Sequence, residues 1–302
     1  MKLVSYLKDG REQLALLVEG ILYDMDSLHP DLPSSMSMLL NYWEDYFPLA
    51  KKINESVELG QTALNKGFPL ETVSLLSPVP LPASCRNIVV RNKEALNKPP
   101  VFNFCNHHAI QAPGEVLCMP DDMEGLVFEA GIAIVIGTQG RNIPAEEADH
   151  YIGGFLIRNL ISTDNFSTGN DGVPTSGTAR DIATVFGPWL VTPDELESFK
   201  TDSGEERAGN SYNLVTAFSI NSGEVNYSNL AEMSNSFAEI IESCSYGADL
   251  QAGDIIGCGL PGNTRQSVKA GDIIEIEVDG LGISTCSIIA GDTDYSLKNK
   301  YN

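Results

Sequence analysis

Positive charge is scarce in this chain. Its 302 residues include 19 lysines and arginines against 41 aspartates and glutamates, which gives a formal net charge of −22. Such a surplus of negative charge repels phosphate backbones and anionic membrane surfaces. We therefore expect no nucleic acid and no membrane among its partners. Any anionic small molecule must depend on individual arginines or lysines for its binding.

Long apolar runs and paired cysteines are also lacking. No run is suited to span a membrane, and Met1–Gln13 becomes charged and polar too early for the apolar core of a secretory signal. The cysteines form no CxxC pair and no short disulfide framework, which is typical of reduced, buried thiols. These absences favour a cytoplasmic protein. The six cysteines are Cys85, Cys105, Cys118, Cys244, Cys258 and Cys286.

The first part of the chain has the pattern of a small β/α lobe. Short apolar runs in Met1–Asp26 are separated by the turn residues Asp9-Gly10 and Glu19-Gly20, which predicts a β-hairpin or a small meander. Helical spacing over Ser34–Leu64 predicts a helix capped by Ser34 or Ser35. Its apolar face consists of Met38, Leu39, Tyr42, Trp43 and Tyr46.

The rest of the chain predicts a β-rich α+β domain. Prolines at positions 78, 80 and 82 fit neither a helix nor a central strand, so we expect a small lobe over residues 1–77 and a main domain over residues 78–302. Gly131–Gly137 has the composition of a buried strand, and Ile273–Gly282 alternates as a half-exposed strand does. Asn229–Ser245 predicts an amphipathic helix. Its inward face carries Leu230, Met233, Phe237, Ile240 and Ile241.

Four stretches within this domain, taken together and in order, resemble the fumarylacetoacetate hydrolase family. Members of that family are metal-dependent enzymes that cleave, isomerise or decarboxylate β-diketo and 2-oxo acids. The resemblance covers about Pro82–Ile289 and implies a mixed-sheet β-roll that usually forms a homodimer, which we expect here too. The stretches are Phe102–Gly114, Val127–Tyr151, Gly177–Glu197 and Asn229–Gly262.

The metal ligands that the resemblance implies are mostly replaced in this chain. The family holds a hard divalent cation, Mg²⁺, Mn²⁺ or Ca²⁺, with a Glu-x-Glu pair and a later aspartate, and the ion stabilises an enolate of the substrate. Glu129 matches the first glutamate, but Gly131 and Leu160 occupy the next two positions. A further aspartate of some branches aligns with Asn87. One carboxylate does not hold Mg²⁺ tightly against its hydration shell, so we expect no bound metal and no other cofactor.

The acid–base residues that the resemblance implies are replaced as well. The position of the family's general-base histidine falls on Glu94. The family's Ser-Gly-Thr turn corresponds to Cys258–Gly262, where Leu260 replaces the threonine. Asp164 stands where the family has a substrate-binding arginine. Arg180 stands where the family has a lysine before the Gly-Pro-Trp motif, and it keeps the positive charge as a planar fork.

Other residues of the main domain allow a functional and a structural interpretation. His107-His108 suggests a metal site, but neighbours on a strand point to opposite faces, which favours a structural role. Cys105 suggests a nucleophile, but no histidine accompanies it in an evident motif, which favours a buried thiol. For Glu129 three interpretations stay open: a relic of the metal site, a hydrogen-bonded carboxylate, or a general base in a dry pocket.

These observations leave three hypotheses for the function. The first is a repurposed, metal-independent enzyme that acts on a small keto or enol substrate by C–C cleavage, isomerisation, condensation or decarboxylation. The second is a non-catalytic pseudoenzyme that binds a ligand or a partner. The third is a residual Mg²⁺-dependent hydrolase with Glu129 and Asp164 as ligands.

For the first hypothesis we predict a small anionic or enolisable ligand. An arginine clamp for its carboxylate would combine Arg180 with Arg158 or Arg265. The predicted catalytic residues are Glu129, Arg180 and Asp164, and the predicted substrate-binding residues are Arg86, Cys105, Arg158 and His107.

Overall fold

The N-terminal segment forms an antiparallel meander in the computed structural model, which describes residues 1–61, 65–88, 99–118, 125–163, 181–201 and 207–291. The meander consists of β1 (Lys2–Lys8), β2 (Arg11–Val18) and β3 (Ile21–Asp24). Asp9 and Gly10 turn the chain between the first two strands with φ angles of 50° and 76°. Such left-handed pairs match the twist of a tight hairpin, so the prediction of a meander is confirmed.

The helices are shorter than the sequence patterns predict. They are α1 (Met25–Leu28), α2 (Met36–Asn41), α3 (Trp43–Glu58) and α4 (Phe237–Ser245). Ser35 caps α2 as expected, through a hydrogen bond from the backbone of Met38. The predicted long helix is interrupted at Tyr42, and both Met38 and Tyr42 are exposed, so the predicted apolar face was partly wrong.

The predicted amphipathic helix begins later than expected. Its first residues form a strand end and a short 3₁₀ turn, Leu230–Glu232, and α4 starts only after Ser236. Ser236 accepts a hydrogen bond from the backbone of Glu239, whose carboxylate accepts one from the backbone of Ser236. This capping box fixes the start of the helix. Phe237, Ile240 and Ile241 are buried, as predicted.

A mixed sheet of 14 strands among the described residues dominates the fold. Besides β1, β2 and β3, its strands are β4 (Phe68–Pro69), β5 (Ser74–Leu75), β6 (Cys85–Ile88), β7 (Phe102–Phe104), β8 (Ile110–Gln111), β10 (Leu126–Ile136), β12 (Ile152–Thr163), β13 (Ala183–Phe186), β14 (Leu190–Val191), β20 (Ile255–Gly259) and β21 (Arg265–Ser267). Their central order is β4-β3-β2-β1-β14-β12-β10-β20-β6-β7, with β5, β8, β13 and β21 attached to this path. The N-terminal meander therefore continues the sheet of the main domain, because β1 pairs with β14. The division at residue 77 stays a prediction.

A second sheet packs beside the first. The strands of this sheet and of two short ribbons are β9 (Gly114–Cys118), β11 (Gly140–Arg141), β15 (Lys200–Thr201), β16 (Ser211–Tyr212), β17 (Val215–Ile220), β18 (Asn226–Asn229), β19 (Asp249–Leu250), β22 (Ile273–Val278) and β23 (Gly282–Ala290). The second sheet has the order β18-β17-β22-β23-β9. Strand β22 alternates between exposed and buried residues, which confirms the predicted half-exposed strand. No helix that the structure describes is both long and apolar enough to cross a membrane.

The long central strands β10 and β12 are covered on both faces. Phe128 and Ile132 of β10 point into the larger core, which also holds α4. Ala133 and Val135 point to the opposite face and pack against a second core, which includes Leu3 of the N-terminal meander. Because side chains alternate along a strand, Glu129 lies on the same face as Ala133 and Val135. This face carries the candidate site.

Candidate functional site

The positions that correspond to the family's metal ligands come together on one face of the central sheet. Glu129 lies opposite Leu160, and Gly131 lies opposite Arg158, in the antiparallel pair of β10 and β12. Directly opposite residues on one face have Cβ atoms about 5 Å apart. Asn87 is two strands away on β6, where it pairs with Gly257 of β20. The strand register therefore groups these side chains even though they are far apart in the sequence.

Arg158 occupies the middle of this group. Its side chain is 1% exposed, and its Nη2 donates a hydrogen bond to Oε1 of Glu129 at 2.6 Å. The Glu129 side chain is 21% exposed, so the carboxylate is the part of the ion pair that solvent reaches. A charge-assisted hydrogen bond of this length in a buried site is a strong interaction. It connects β10 and β12 through their side chains.

Two glycines make room for the Arg158 side chain. A Cβ atom built on Gly131 would lie 2.7 Å from Nη1 of Arg158, and one built on Gly257 would lie 2.7 Å from its Cδ. Both distances are too short for real contacts. The guanidinium therefore lies across β10 and β20 at points where neither strand has a side chain, and an alanine at either position would displace it.

Several polar atoms on this face have no hydrogen-bond partner among the described residues. They are Nε and Nη1 of Arg158 and Oδ1 of Asn87, and all three are buried. Leaving a buried donor or acceptor unpaired costs about 1–3 kcal/mol, and more for a charged group. Such a cluster of unpaired atoms in a native fold is typical of a place where water or a ligand binds.

The described residues do not fit the divalent cation that the resemblance implies. Glu129 supplies the one carboxylate among the aligned positions, and it is already bound to Arg158. Leu160 is apolar, and a side chain at Gly131 would collide with the carbonyl oxygen of Cys258. Among the residues that the structure describes, no three His, Cys, Asp or Glu side chains are grouped as a metal would need. A guanidinium at this point also repels a cation.

Arg265 approaches Glu129 from the other side. It lies opposite Glu129 in the antiparallel pair of β10 and β21, and its side chain is exposed. Glu129 thus lies between the exposed Arg265 on β21 and the buried Arg158 on β12. The predicted clamp combines Arg180 with one of these two arginines, and Arg180 lies outside the described residues, so the clamp stays a prediction.

Arg86 is not brought together with Glu129. Its guanidinium donates hydrogen bonds to Oγ of Ser84 at 2.6 Å and to Oδ2 of Asp254 at 3.2 Å. It also lies 5.5 Å and 5.3 Å from the ring centres of Phe102 and Phe104. Because Arg86 adjoins Asn87 on β6, its side chain points to the opposite face of the sheet. These contacts indicate a structural ion pair.

Cys105 belongs to the apolar surroundings of the site. It is buried, and its backbone donates a hydrogen bond to the carbonyl oxygen of Cys85 at 2.8 Å. A hydrogen bond to Cys105 and burial together raise the pKa of the Cys85 thiol well above its usual value. The expected interpretation of Cys105 as a buried thiol agrees with this environment.

The histidine pair is arranged differently from the expectation. His107 and His108 lie in a 3₁₀ helix, His107–Ala109, and not on a strand. Their rings face each other with centres 4.2 Å apart, so the expectation that they point to opposite faces was wrong. Asn106 fixes this turn by accepting a hydrogen bond from the backbone of His108.

Three predicted residues lie outside the described part of the chain. Asp164, Arg180 and Glu94 fall in the segments that the structure does not describe. Sequence reasoning missed Gly257 and the pairing of Arg158 with Glu129. A signal for Gly257 exists, because Gly257 and Gly259 alternate in a buried strand, and such glycines mark a close approach of another group.

The fold and the site together define a mixed-sheet roll whose central strands hold a buried carboxylate–guanidinium pair. Residues 82–289 match the family profile described as fumarylacetoacetate (FAA) hydrolase C-terminal, so the chain belongs to the fumarylacetoacetate hydrolase family. The match spans most of the domain predicted to begin at residue 78.

Known relatives match over most of their length. The chain is 24% identical to a fumarylacetoacetate hydrolase domain-containing protein 2 homolog of Dictyostelium discoideum, over 93% of this chain and 95% of the relative. It is 26% identical to a mitochondrial oxaloacetate tautomerase of Xenopus laevis, over 93% and 88%. Among solved structures, maleylpyruvate hydrolase from Sphingobium sp. SYK-6, in complex with manganese(II) and pyruvate, matches with a TM-score of 0.75 at 21% identity, over 97% of this chain and 100% of that chain. At that identity the likeness shows the fold.

Proposed function

We propose that this protein is a metal-independent isomerase that interconverts the keto and enol forms of a small 2-oxo acid. The observation that carries the proposal is an ion pair 2.6 Å long between Glu129, which the resemblance aligns with a metal ligand, and Arg158, which lies opposite Gly131. This pair contains the two groups that such a reaction needs, a base and a fixed positive charge.

The chemistry requires one proton to move. A base removes a proton from the carbon beside the keto group, and a positive group stabilises the enolate oxygen that forms. The carboxylate of Glu129 accepts this proton from carbon and returns it to the enolate oxygen, and the reverse reaction follows the same route. No oxidant, reductant or second substrate is consumed. Arg158 supplies the positive charge.

The strength of the base limits the substrate. A carboxylate is a weak base at neutral pH, so the carbon that loses the proton must be activated on both sides. A methylene group between a keto group and a second carbonyl or carboxyl group meets this condition. The substrate class is therefore a β-diketo acid or a 2-oxo diacid, which must also be small enough for a buried site.

Isomerisation fits the described residues better than C–C hydrolysis does. Hydrolysis needs an activated water in addition to the stabilised enolate, and activation of that water needs a further base. The strand neighbours of Glu129 on this face are Leu160 and Arg265, and neither is a base. Relatives whose names are oxaloacetate tautomerases, from Xenopus laevis and Rattus norvegicus, support the same reaction class.

The test follows the decay of the enol absorbance of oxaloacetate after dilution into buffer. The protein is first treated with EDTA, and we expect it to accelerate the decay in the presence of the chelator. Glu129→Gln keeps the size of the side chain but removes the base, so it should reduce the rate by about 10²–10⁴-fold. The exposed Glu224→Gln is a control with the same change in charge.

Each alternative has its own result. Acceleration that appears only after Mg²⁺ or Mn²⁺ is added would refute metal independence and favour a residual metal-dependent enzyme. No acceleration with oxaloacetate or with acetylpyruvate, by protein that is folded, would favour a pseudoenzyme that uses the fold only for binding.

A further inference from the structure

We infer that the guanidinium of Arg158 has taken the place of the family's divalent cation and forms the subsite for the paired oxygens of a 2-oxo acid. The inference deepens the proposed function and rests on it only for the identity of the substrate class. Its evidence is the position of the guanidinium, the space around it and its unpaired donors.

The guanidinium of Arg158 lies among the positions that the resemblance aligns with metal ligands. The residues aligned with metal ligands are Glu129, Gly131, Leu160 and Asn87, and the register places all of them on the face that holds Arg158. The Arg158 side chain starts at β12, passes over Gly131 of β10 and Gly257 of β20, and returns a hydrogen bond to Glu129. A positive group therefore lies among the positions that would otherwise surround a cation.

The guanidinium of Arg158 also fills the space that a side chain at position 131 would need. The Cβ of any side chain at Gly131 would lie 2.7 Å from Nη1 of Arg158. A glutamate at position 131 and the present guanidinium therefore exclude each other. A side chain at position 131 and Arg158 in its present conformation therefore cannot occur together.

The guanidinium of Arg158 has unpaired donors that a ligand can use. Nη2 of Arg158 is used by Glu129, whereas Nε and Nη1 have no partner among the described residues. Nη1 and Nη2 share one edge of the planar guanidinium. A substrate oxygen bound at Nη1 would thus lie next to the carboxylate of Glu129, with its neighbouring carbon close to the base. The unpaired Oδ1 of Asn87 can accept a hydrogen bond from an enol hydroxyl.

This subsite differs from a metal ion in its permanence and in the geometry of its contacts. The guanidinium is covalently part of the chain, so a chelator does not remove it. It also presents its donors in a plane, which suits the flat arrangement of a carboxylate next to a keto or enolate oxygen. The subsite therefore selects planar ligands with two adjacent oxygens.

The experiment measures the binding of oxalate, a planar dianion with adjacent oxygens, by isothermal titration calorimetry in EDTA. The parent protein should bind oxalate without metal. Arg158→Lys keeps a charge and most of the volume but loses Nε and Nη1, so we expect about tenfold weaker binding, and Arg158→Ala should weaken it about 100-fold. Arg141→Ala removes an exposed arginine on β11 and is the matched control for the change in net charge. Guanidinium chloride at low millimolar concentration should restore part of the binding to Arg158→Ala.

A second experiment tests directly whether the guanidinium of Arg158 occupies the place of the divalent cation. Arg158→Ala combined with Leu160→Asp leaves Glu129 and a new carboxylate opposite it, with the volume of the guanidinium vacated. We expect this double variant to bind Mn²⁺, whereas the parent does not. A folded double variant that does not bind Mn²⁺ would contradict the inference that the guanidinium occupies the place of the ion.

The outcomes separate the inference from the proposed function. Oxalate binding that depends on Arg158, in a protein that isomerises no keto acid, supports the subsite and refutes the proposed function. Isomerase activity together with equal oxalate affinity of the parent and both folded Arg158 variants refutes the subsite and leaves the proposed function standing. Oxalate binding by the parent that requires Mg²⁺ or Mn²⁺ also refutes the inference.

Discussion

The free energy that couples Glu129 and Arg158 can be measured with a double-mutant cycle. Glu129→Ala leaves a guanidinium that is 1% exposed without a counter-charge. Removal of one partner from a buried pair costs about 3–5 kcal/mol. Because the Glu129 side chain is 21% exposed, solvent already screens the pair in part, and we expect a loss of unfolding free energy of about 3 kcal/mol.

The other two variants complete the cycle. Arg158→Met fills the space and leaves a carboxylate that water can reach, so we expect a loss of about 1–2 kcal/mol. The double variant carries neither charge and should lose about 1–2 kcal/mol as well, since apolar replacement of a buried pair is close to neutral. The loss in the double variant would then be about 3 kcal/mol smaller than the sum of the two single losses, and this difference is the coupling free energy.

The assay is urea unfolding in reducing buffer, followed by both fluorescence and circular dichroism so that a two-state transition can be verified. The matched control is the pair of Lys200 and Glu197. It has the same N–O distance of 2.6 Å, but its side chains are 28% and 61% exposed, and its coupling should stay below about 1 kcal/mol. A Glu129–Arg158 coupling no larger than that of the control would refute the reasoning that burial makes this pair strong.

Four further predictions concern the same structure. Gly131→Ala should lower the unfolding free energy by about 1–3 kcal/mol, because the new Cβ would meet Arg158 and the carbonyl oxygen of Cys258. An unchanged urea midpoint would contradict this. Millimolar Mn²⁺ should not raise the Tm of the EDTA-treated protein, and a rise that Glu129→Ala abolishes would show a metal site, since saturation at 100 Kd adds about 2.7 kcal/mol. Light scattering at micromolar concentration should give the mass of a homodimer, and a monomer would refute that expectation. Burial raises the pKa of Cys244 and of Cys258 to about 12, so both thiols should react with Ellman's reagent at pH 8 only after unfolding, and fast labelling of the native protein would contradict their burial.

The parts of the fold that depend on local sequence could be predicted well. The N-terminal meander followed from the turn residues Asp9-Gly10 and Glu19-Gly20, because tight turns need few residue types. The start of α4 was predicted too early, although Ser236 and Glu239 form a capping box that the sequence itself displays. A helical period alone does not locate the first residue of a helix, and the cap decides it.

The site depends on register, which no local pattern contains. Glu129 and Arg158 were each predicted as functional residues, but their ion pair arises only because β10 and β12 pair with Gly131 opposite Arg158. A shift of one residue would turn one of the two side chains to the other face of the sheet. The role of Gly257 depends in addition on β20, which lies about a hundred residues further along the chain. Sequence reasoning can propose such residues individually, and only the assembled sheet shows which of them meet.

The proposed subsite would account, through charge balance, for the joint replacement of the residues that the resemblance aligns with metal ligands. Burial of charge is costly unless opposite charges compensate it. In the family pattern several carboxylates surround a divalent cation, whereas here one carboxylate faces one guanidinium, and the described pair is neutral. A carboxylate restored at Leu160 alone would add an uncompensated negative charge on a buried face, in a chain whose net charge is already −22. The apolar residue at Leu160 and the missing side chain at Gly131 are therefore what a site with a single built-in positive charge requires.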